Sequence, residues 1–417
     1  MPDELPIPES DVRMKGFAHR ATVAAARAWL DAQLLSLESE SAPLAFAAGR
    51  VLARDIQSRY DVPGFERAMM DGYAVRAADT EGASSYQRVT LEVIGEVLPG
   101  SELDREVVPG TCVRIMTGAP LPRGADAVLP AEKVDRSPNG ADDQIQAIEE
   151  VSPGKHVGLR GEDLKAGELV LEAGRILRPQ DIGVLSSIGV EDVPVVRRPR
   201  VQLVITGNEL LPAGSPPSGV RIVDANGPML AALVARDGGL PVSSGIVPDD
   251  PEAIRAALLA DADVVLVSGG SSVGSEDHAP VLLARDGELA IHGIAMRPSS
   301  PTGMGTLDGR LVFLLPGNPV SCLCAYDFFA GRAIRVLGGR AADWPYATSR
   351  ATLVRKLVST VGRVDYARVK KSANGIEPLA IGGASVLSST TRADGFVVVP
   401  EDSEGFAAGA EVDVWWY

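Results

Sequence analysis

The chain has 417 residues and a formal net charge of −15 at pH 7, and 45% of its residues are hydrophobic. This length exceeds what a single hydrophobic core normally covers, so two to four domains are expected. The negative charge argues against nucleic acid and against anionic membranes as partners, because both bind basic surfaces. No apolar run could cross a bilayer and the start of the chain has no apolar secretory segment, so a cytoplasmic protein is predicted.

The first half of the chain changes from a helical to a β pattern. Residues 21–38 are predicted to form an amphipathic helix. Between residues 86 and 156, short alternating runs are separated by proline and glycine turns, which predicts a small β module. A glycine-rich link then leads to a helical segment at 179–188. The runs of the β module are 89–97, 112–116, 127–130 and 144–147.

From residue 198 onward strands and helices alternate, which predicts a mostly parallel sheet with helices on both faces. The predicted elements are strand 200–205, a helix from Asn226 as its cap to Asp237, strand 240–247, helix 250–259, strand 262–267, helix 277–284, strands 289–295 and 310–315, and helix 319–336. After Gly339 the hydrophobic period becomes two, so the C-terminus is predicted to be a separate β unit. Its predicted strands are 351–359, 364–370, 376–381, 396–399 and 411–416.

Two loops follow apolar strands of this sheet and precede predicted helices. The first is Ser268–Gly274, with glycine at three of its positions, and the second is Pro316–Ser321. Backbone amides at helix N-termini favour anions, so both loops are predicted to face one crevice that holds a phosphate. An ordinary strand-to-helix turn and an Asn-Pro helix cap remain alternative interpretations of these residues.

Two carboxylates are predicted at the edge of the same crevice. Asp277 begins a helix beside the first loop, and Glu209 follows the strand 200–205. Carboxylate oxygens that face a phosphate are typical ligands of Mg²⁺, so both residues are candidates for a magnesium site. The alternative for each is a favourable charge at a helix N-terminus.

The cysteines and histidines do not predict a metal site. The three cysteines, Cys112, Cys322 and Cys324, cannot all pair and lack a Cys-x-x-Cys spacing, so they are predicted to be buried thiols. The four histidines have no metal-binding spacing.

Six motifs, in order over roughly residues 20–417, resemble the molybdopterin molybdenumtransferases, a family that includes the bacterial molybdenum-cofactor enzyme and the E domain of gephyrin. Turns alone would also explain single residues of the first two motifs, such as Asp71 and Thr117. The motifs are Met70-Asp71-Gly72-Tyr73-Ala74, Arg114-Ile115-Met116-Thr117-Gly118-Ala119-Pro120, Gly161-Glu162-Asp163, Thr206-Gly207-x-Glu209-Leu210, Ser268-Gly269-Gly270-x-Ser272-x-Gly274 and Pro316-Gly317-Asn318-Pro319-Val320-Ser321.

The resemblance implies a multidomain α/β protein that forms an elongated homodimer. A three-layer αβα molybdopterin-binding domain with a mostly parallel sheet would be formed by residues 19–38 and 191–338. A discontinuous dimerisation segment would be formed by 39–57 and 159–190. Residues 58–158 would be a β-rich insertion, and 339–417 a C-terminal β-barrel.

The reaction implied by the resemblance inserts molybdate into adenylylated molybdopterin and releases AMP. Mg²⁺ would support cleavage of the phosphoanhydride, and the adenylylating enzyme is a candidate partner. Two alternatives remain: a non-enzymatic scaffold like gephyrin, and the sibling adenylylation step, whose enzymes resemble residues 198–336 alone. Retention of the acidic motif residues favours an enzyme, and the additional domains argue against the adenylylating step.

The resemblance also implies roles for individual residues. Catalytic roles fall to Asp71, Thr117, Asp163, Glu209 and Asp277, of which the first three would approach the cleft from the partner subunit and the last two would bind metal. The implied pterin-phosphate residues are Ser268, Gly269, Gly270, Ser272 and Gly274. The implied residues on the molybdate side are Arg297, Ser300, Pro316, Gly317, Asn318, Pro319 and Ser321, with Arg368 and Ser389 as further anion contacts in the barrel.

The chain departs from the family pattern at Ser300, where the family usually has a lysine two positions after a proline. A serine hydroxyl can donate a hydrogen bond to an oxyanion but adds no charge, and charge-assisted bonds are roughly twice as strong. Weaker molybdate binding, a different oxyanion, or compensation by a neighbouring arginine are the three outcomes that this change predicts.

Overall fold

A computed structural model of the chain describes residues 20–136, 143–270, 277–380 and 383–417. The chain divides into two compact units. The first comprises the segments up to Ser41, Gly49–Ala53 and Pro194–Tyr417, and the second comprises Ala42–Ala48 and Arg54–Val193. The four-part division expected from the sequence is finer than this one and stays a prediction. In the described residues, no helix has the length and apolar character needed to cross a membrane.

The first unit is built on a six-stranded sheet in which four neighbouring strands pair in parallel and the two pairings at one edge are antiparallel. In spatial order the strands are Leu240–Val247, Arg200–Thr206, Val264–Ser268, Arg310–Leu315, Gly303–Leu307 and Glu288–His292. This confirms the predicted α/β class. Gly303–Leu307 was not predicted, because the glycines of its Gly-Met-Gly-Thr-Leu sequence are depleted in strands generally.

Two hydrophobic cores lie on opposite faces of this sheet. Alternate residues of a strand point to opposite faces, and in the central strand Val264 and Leu266 belong to one core while Val265 and Val267 belong to the other. The helices of the first core are Val23–Gln33, Asn226–Arg236, Pro319–Ala325 and Gly331–Leu337, the last two joined by the π-helical turn Tyr326–Ala330. The helices of the second core are Pro251–Leu258 and His278–Asp286.

Several predicted elements differ in extent from the observed ones. The strand predicted at 351–359 is observed as two strands, Ala347–Thr352 and Leu357–Val358. The helix predicted at 21–38 begins at Val23, where the Thr22 hydroxyl accepts from the Ala25 amide, and ends where Leu34 becomes extended. The strand predicted at 289–295 ends at His292, because Gly293 has a positive φ. The single helix predicted at 319–336 is interrupted by the π-helical turn.

The C-terminal part of the first unit is a closed ring of strands. The strand Val364–Ser372 pairs with Gly375–Ala380 on one side and with Gly395–Val399 on the other. A bridge between Leu353 and Ile376 completes the ring, which agrees with the predicted barrel. The remaining elements are the strands Ala347–Thr352, Leu357–Val358, Gly405–Phe406 and Glu411–Trp416 and the helix Ser388–Thr391. From the α/β part, Met296–Arg297 pairs in parallel with Val364–Asp365.

The second unit contains a mixed six-stranded sheet, which confirms the predicted β module. In spatial order its strands are Ala127–Pro130, Gly72–Val75, Thr111–Ile115, Val89–Val97, Gln144–Ala147 and Val134–Arg136. Arg67–Ala68 pairs with Val157–Gly158, and Ile56–Gln57 pairs with Leu169–Leu171. The helix Pro179–Ser187 follows, close to its predicted bounds.

The remaining short elements belong to both units. They are the strands Ser39–Pro43, Asp192–Val196, Leu210–Leu211 and Ile222–Val223 and the 3-10 turns Leu44–Phe46, Ala77–Thr80 and Ala131–Lys133.

Candidate functional site

The described part of the first predicted loop, Ser268–Gly270, lies beside the second loop. Their strands, Val264–Ser268 and Arg310–Leu315, are neighbours in parallel, with Ser268 paired in register with Leu315. A Cβ added to Gly317 would lie 3.6 Å from the Gly269 Cα. Gly269 has a φ of +97°, and a Cβ there would collide with the Thr206 carbonyl oxygen, so only glycine fits this close approach.

Asn226 joins the two loops. Its Nδ2 donates to the Ser268 hydroxyl and to the Gly317 carbonyl, each at 2.8 Å. The sequence predicted Asn226 as a helix cap, and this was wrong: the cap is Ala225, and Asn226 is the first helical residue with its side chain 7% exposed. Its Oδ1 and the Thr206 Oγ1 are buried with no hydrogen-bond partner in the described part of the chain.

An acidic cavity of about 570 Å³ opens beside these loops. Four carboxylates line it, and among the described residues no arginine, lysine or histidine does so. Glu209 and Asp277, predicted from the sequence, are joined by Asp224 and Asp249, which were not. Asp224 and Asp249 come shortly after strands that end at Val223 and Val247. This position after a strand is the sequence feature from which they could have been predicted. Asp224 accepts from the Gly227 amide at 2.9 Å and Asp249 from the Asn208 amide at 2.9 Å.

The acidic cavity suits a divalent cation that arrives with a phosphate. Four carboxylates around one space would repel an anionic ligand unless a cation neutralised them. In the described ranges, no three His, Cys, Asp or Glu groups lie close enough to hold a metal unaided. Mg²⁺ commonly uses only one or two carboxylates and takes its other oxygens from phosphate and water. A donor set of this kind is compatible with Mg²⁺, and Glu209 and Asp277 stay its predicted ligands.

An arginine cavity of about 620 Å³ also borders the second loop. Arg20, Arg297 and Arg363 line it together with Ser300 and Ser321, and no carboxylate does so in the described part of the chain. Asn318 lines both this cavity and the acidic one. The second loop is thus shared: Gly317 and Pro319 line the acidic cavity, while Pro316 and Ser321 line the arginine cavity.

In the second unit, the structure brings Asp71 and Thr117 together. The amide and the hydroxyl of Thr117 donate to the same Asp71 carboxylate oxygen, at 2.7 and 2.8 Å. These bonds, the backbone one first, hold the pKa of Asp71 below its usual range. Asp163 is exposed in another loop, where its amide donates to the Val62 carbonyl at 3.0 Å.

The remaining predicted residues lie elsewhere. Arg368 is 0% exposed within the barrel, and the hydroxyl of Ser389, a buried residue of the helix Ser388–Thr391, donates to the Val386 carbonyl at 2.6 Å. Neither lines the acidic or the arginine cavity, so their predicted anion contacts are untested. Ser272 and Gly274 fall outside the described residues. The three cysteines are free and buried, as predicted.

Comparison with known proteins identifies the family. Residues 21–189 match the model of the MoeA N-terminal region (domain I and II), 202–335 that of the probable molybdopterin binding domain, and 350–417 that of the MoeA C-terminal region (domain IV). The chain is 35% identical over 385 residues to molybdopterin molybdenumtransferase 2 of Mycobacterium tuberculosis, covering 89% of this chain and 94% of that protein. The chain belongs to the molybdopterin molybdenumtransferase family.

Further relatives agree with this assignment. Molybdopterin molybdenumtransferase of Staphylococcus aureus is 30% identical over 393 residues, which is 92% of each chain. The crystal structure of a molybdopterin biosynthesis MoeA protein from Pyrococcus horikosii superposes with a TM-score of 0.80 at 34% identity, covering 95% of this chain and 99% of that one. The predicted resemblance, the multidomain α/β fold and the prediction of a transferase of molybdenum-cofactor biosynthesis are therefore confirmed. The site residues, the AMP release and the magnesium requirement stay predictions.

Proposed function

We propose that this transferase inserts molybdate into adenylylated molybdopterin, with hydrolysis of the phosphoanhydride bond and release of AMP. The observation that carries the proposal is the pair of cavities of opposite charge that the Pro316–Ser321 loop borders. One is lined by carboxylates and the other by arginines, and Asn318 lines both. A substrate that carries phosphates and a second substrate that is a bare oxyanion need these two environments next to each other.

The acidic cavity would hold the phosphoanhydride end of the pterin substrate. Gly269 and Gly270 line this cavity, where the absence of a Cβ lets their backbone lie directly against Thr206. Glu209 and Asp277 would hold Mg²⁺, which would supply positive charge that offsets the negative charge of the phosphates. The buried Thr206 hydroxyl and Asn226 amide oxygen offer further polar contacts at the same wall.

The arginine cavity would hold molybdate next to the pterin. Its guanidinium groups match the charge of a tetrahedral dianion, and the hydroxyl of Ser300 can donate a neutral hydrogen bond. The chain's two loops would thereby bring the oxyanion and the pterin into contact at Asn318. Proximity of this kind removes much of the entropic cost of joining two substrates.

Asp71, Thr117 and Asp163 belong to the proposal as well. The shared hydrogen bonds from Thr117 keep Asp71 ionised and fix the orientation of its carboxylate. A carboxylate of fixed orientation can position a water molecule without reorganising. The homodimer that the resemblance implies, and delivery of substrate by the adenylylating enzyme, are part of the same proposal.

The test is to mix the purified chain with adenylylated molybdopterin, Mg²⁺ and molybdate and to measure AMP. We expect AMP release that depends on molybdate, together with product that reconstitutes a cofactor-free molybdoenzyme. Omission of molybdate and chelation of Mg²⁺ serve as controls. AMP release that is indifferent to molybdate, or its complete absence, would reject the proposal.

A further inference from the structure

Two arginines of the arginine cavity, Arg297 and Arg363, differ in how far their charge is neutralised. Arg297 forms a bidentate ion pair with Asp365, through Nε at 3.0 Å and a shorter contact through Nη2. Asp365 is 0% exposed and also accepts from the Ser359 hydroxyl at 2.6 Å. Because Met296–Arg297 pairs with Val364–Asp365, this ion pair connects the α/β part to the barrel. The positive charge of Arg297 is therefore largely neutralised by Asp365.

Arg363 shares the same carboxylate but at a longer distance. Its Nε lies 3.5 Å from Asp365 Oδ1, and its Nη2 donates to the Thr360 hydroxyl at 3.2 Å. One carboxylate thus faces two guanidinium groups, which leaves about one positive charge in excess. The Arg363 side chain is 35% exposed and lines the cavity. The Arg297 side chain is exposed to a similar degree, 32%, but makes two hydrogen bonds to Asp365, so Arg363 is the less neutralised of the two.

We infer that Arg363 supplies the charge that binds the oxyanion in the arginine cavity, and that Arg297 acts as a positioning residue through Asp365. A guanidinium can offer two parallel N–H groups to two oxygens of a tetrahedral anion, which suits molybdate. The Thr360 contact and the Asp365 carboxylate hold the Arg363 group in one orientation. The inference rests on the proposed function, because it identifies the arginine cavity as the oxyanion site of that reaction.

Ser300 provides the means of testing this charge. It lines the same cavity as Arg363, so a lysine at position 300 would add a positive charge to the same space. If Arg363 already supplies the charge, that lysine should help little in the unchanged chain and much in a chain without Arg363. This is a double-mutant cycle, which measures the coupling of two groups that serve one ligand.

The experiment is equilibrium dialysis of the purified chain against molybdate at fixed ionic strength, with bound molybdenum measured by mass spectrometry. Arg363→Gln is expected to weaken molybdate binding about tenfold or more, since bonds to charged groups are worth this much. In the Arg363→Gln background, Ser300→Lys should raise the affinity for molybdate about fivefold or more. In the otherwise unchanged chain, the same substitution should change this affinity about twofold or less. Arg355→Gln, which removes an exposed arginine of the same barrel paired with Glu377, is the matched control and should bind normally.

Further variants separate charge from structure. Arg363→Lys keeps the positive charge but loses the two parallel N–H donors of the guanidinium. Its affinity for molybdate should therefore lie between those of the unchanged chain and Arg363→Gln. If Arg363→Gln does not fold, Arg363→Lys takes its place in the experiment. Arg297→Gln leaves Asp365 buried without its closest partner, so it should mainly lower the thermal midpoint. Arg20→Gln tests the third arginine of the cavity.

Several results would overturn the inference. These are unchanged affinity in Arg363→Gln, an equal loss in Arg355→Gln, a larger loss in Arg20→Gln, or an equal benefit of Ser300→Lys in both backgrounds. No saturable molybdate binding by the unchanged chain would also overturn it. Because dialysis needs no turnover, failure here is distinct from failure of molybdate-dependent AMP release, which tests the proposed function.

Discussion

The side-chain amide of Asn226 donates to the hydroxyl of Ser268 at 2.8 Å. This bond joins the helix Asn226–Arg236 to the end of the strand Val264–Ser268. The same nitrogen also donates to the Gly317 carbonyl. One buried side chain therefore fixes both loops of the site relative to each other. Loops held this way reach a ligand with little reorganisation, so changes at Asn226 should affect both stability and substrate binding.

Asn226→Asp should loosen the site. The carboxylate keeps the shape of the side chain but cannot donate to the Gly317 carbonyl, which would face another acceptor in a buried place. Leaving such a group unsatisfied costs about 1–3 kcal/mol. We expect a lower urea midpoint and a higher KM for adenylylated molybdopterin, with faster hydrogen exchange in residues 316–321.

The matched control for this prediction is Asn374→Asp, the same chemical change at an exposed turn of the barrel. It should leave the urea midpoint and the KM unchanged. If Asn226→Asp behaved like this control, the bridging role of Asn226 would be refuted.

Much of the site's position followed from the sequence. Apolar β-branched runs predicted parallel strands, and the carboxyl ends of parallel strands lie at one edge of a sheet. The loops at Ser268 and Pro316 therefore had to be near each other if their strands were neighbours, and they are. Glu209 could be predicted at the same edge because it follows the strand Arg200–Thr206. Asp277 could be predicted there because it follows the loop that begins at Ser268.

The partners of these residues could not be predicted. Asn226 contacts Ser268 and Gly317, which are 42 and 91 residues away along the chain. The local sequence around Asn226 is equally consistent with a helix cap, so it does not indicate these contacts. Arg297 and Asp365 are 68 residues apart, so no spacing indicates that one neutralises the other. Local periodicity determines which face a residue occupies, whereas these contacts depend on how separate elements pack.

Magnesium dependence should change when the carboxylates of the acidic cavity are altered. Glu209→Gln and Asp277→Asn each remove one charge and one strong oxygen ligand from the predicted site. We expect each to raise the Mg²⁺ concentration for half-maximal AMP release by roughly tenfold or more. Binding of Mn²⁺, followed by electron paramagnetic resonance, should weaken in parallel.

Asp261→Asn is the control for this pair, because Asp261 is 93% exposed in the same unit and outside the acidic cavity. It should leave both measurements unchanged. A normal Mg²⁺ requirement in both Glu209→Gln and Asp277→Asn would show that the metal is held by other groups.

The acidity of Asp71 should depend on the Thr117 hydroxyl. Both bonds from Thr117 stabilise the ionised carboxylate and lower its pKa, so removing one of them should raise the pKa toward the usual value of about 3.9. Carboxyl-carbon NMR of labelled aspartate, with Asp71→Asn to identify the resonance, should show this rise in Thr117→Ala. Thr117→Ser keeps the hydroxyl and should titrate like the unchanged chain; a rise of equal size in both variants would contradict the role of the hydroxyl.

The thiols should be unreactive in the folded protein. Burial raises the pKa of Cys112 and of Cys322 to about 12, and it raises the pKa of Cys324 as well. The thiolate is the reactive form, and at pH 8 almost none is present at these values. A disulfide reagent such as Ellman's should therefore modify no cysteine rapidly in the native chain and all three after denaturation.

The same measurement tests whether the second loop is closed in solution. Cys322 lies one residue after Ser321, with its sulfur 3.8 Å from the Ser268 hydroxyl, so the reagent can reach it only if the loop and its helix move away from the sheet. Asn226→Asp should speed this reaction, because it removes the bond to Gly317 in that loop. Cys112, in the strand Thr111–Ile115 of the second unit, is the internal control and should react at the same slow rate in both proteins. Equal acceleration at both cysteines would point to global unfolding, and no acceleration at Cys322 would mean that the loop stays in place without Asn226.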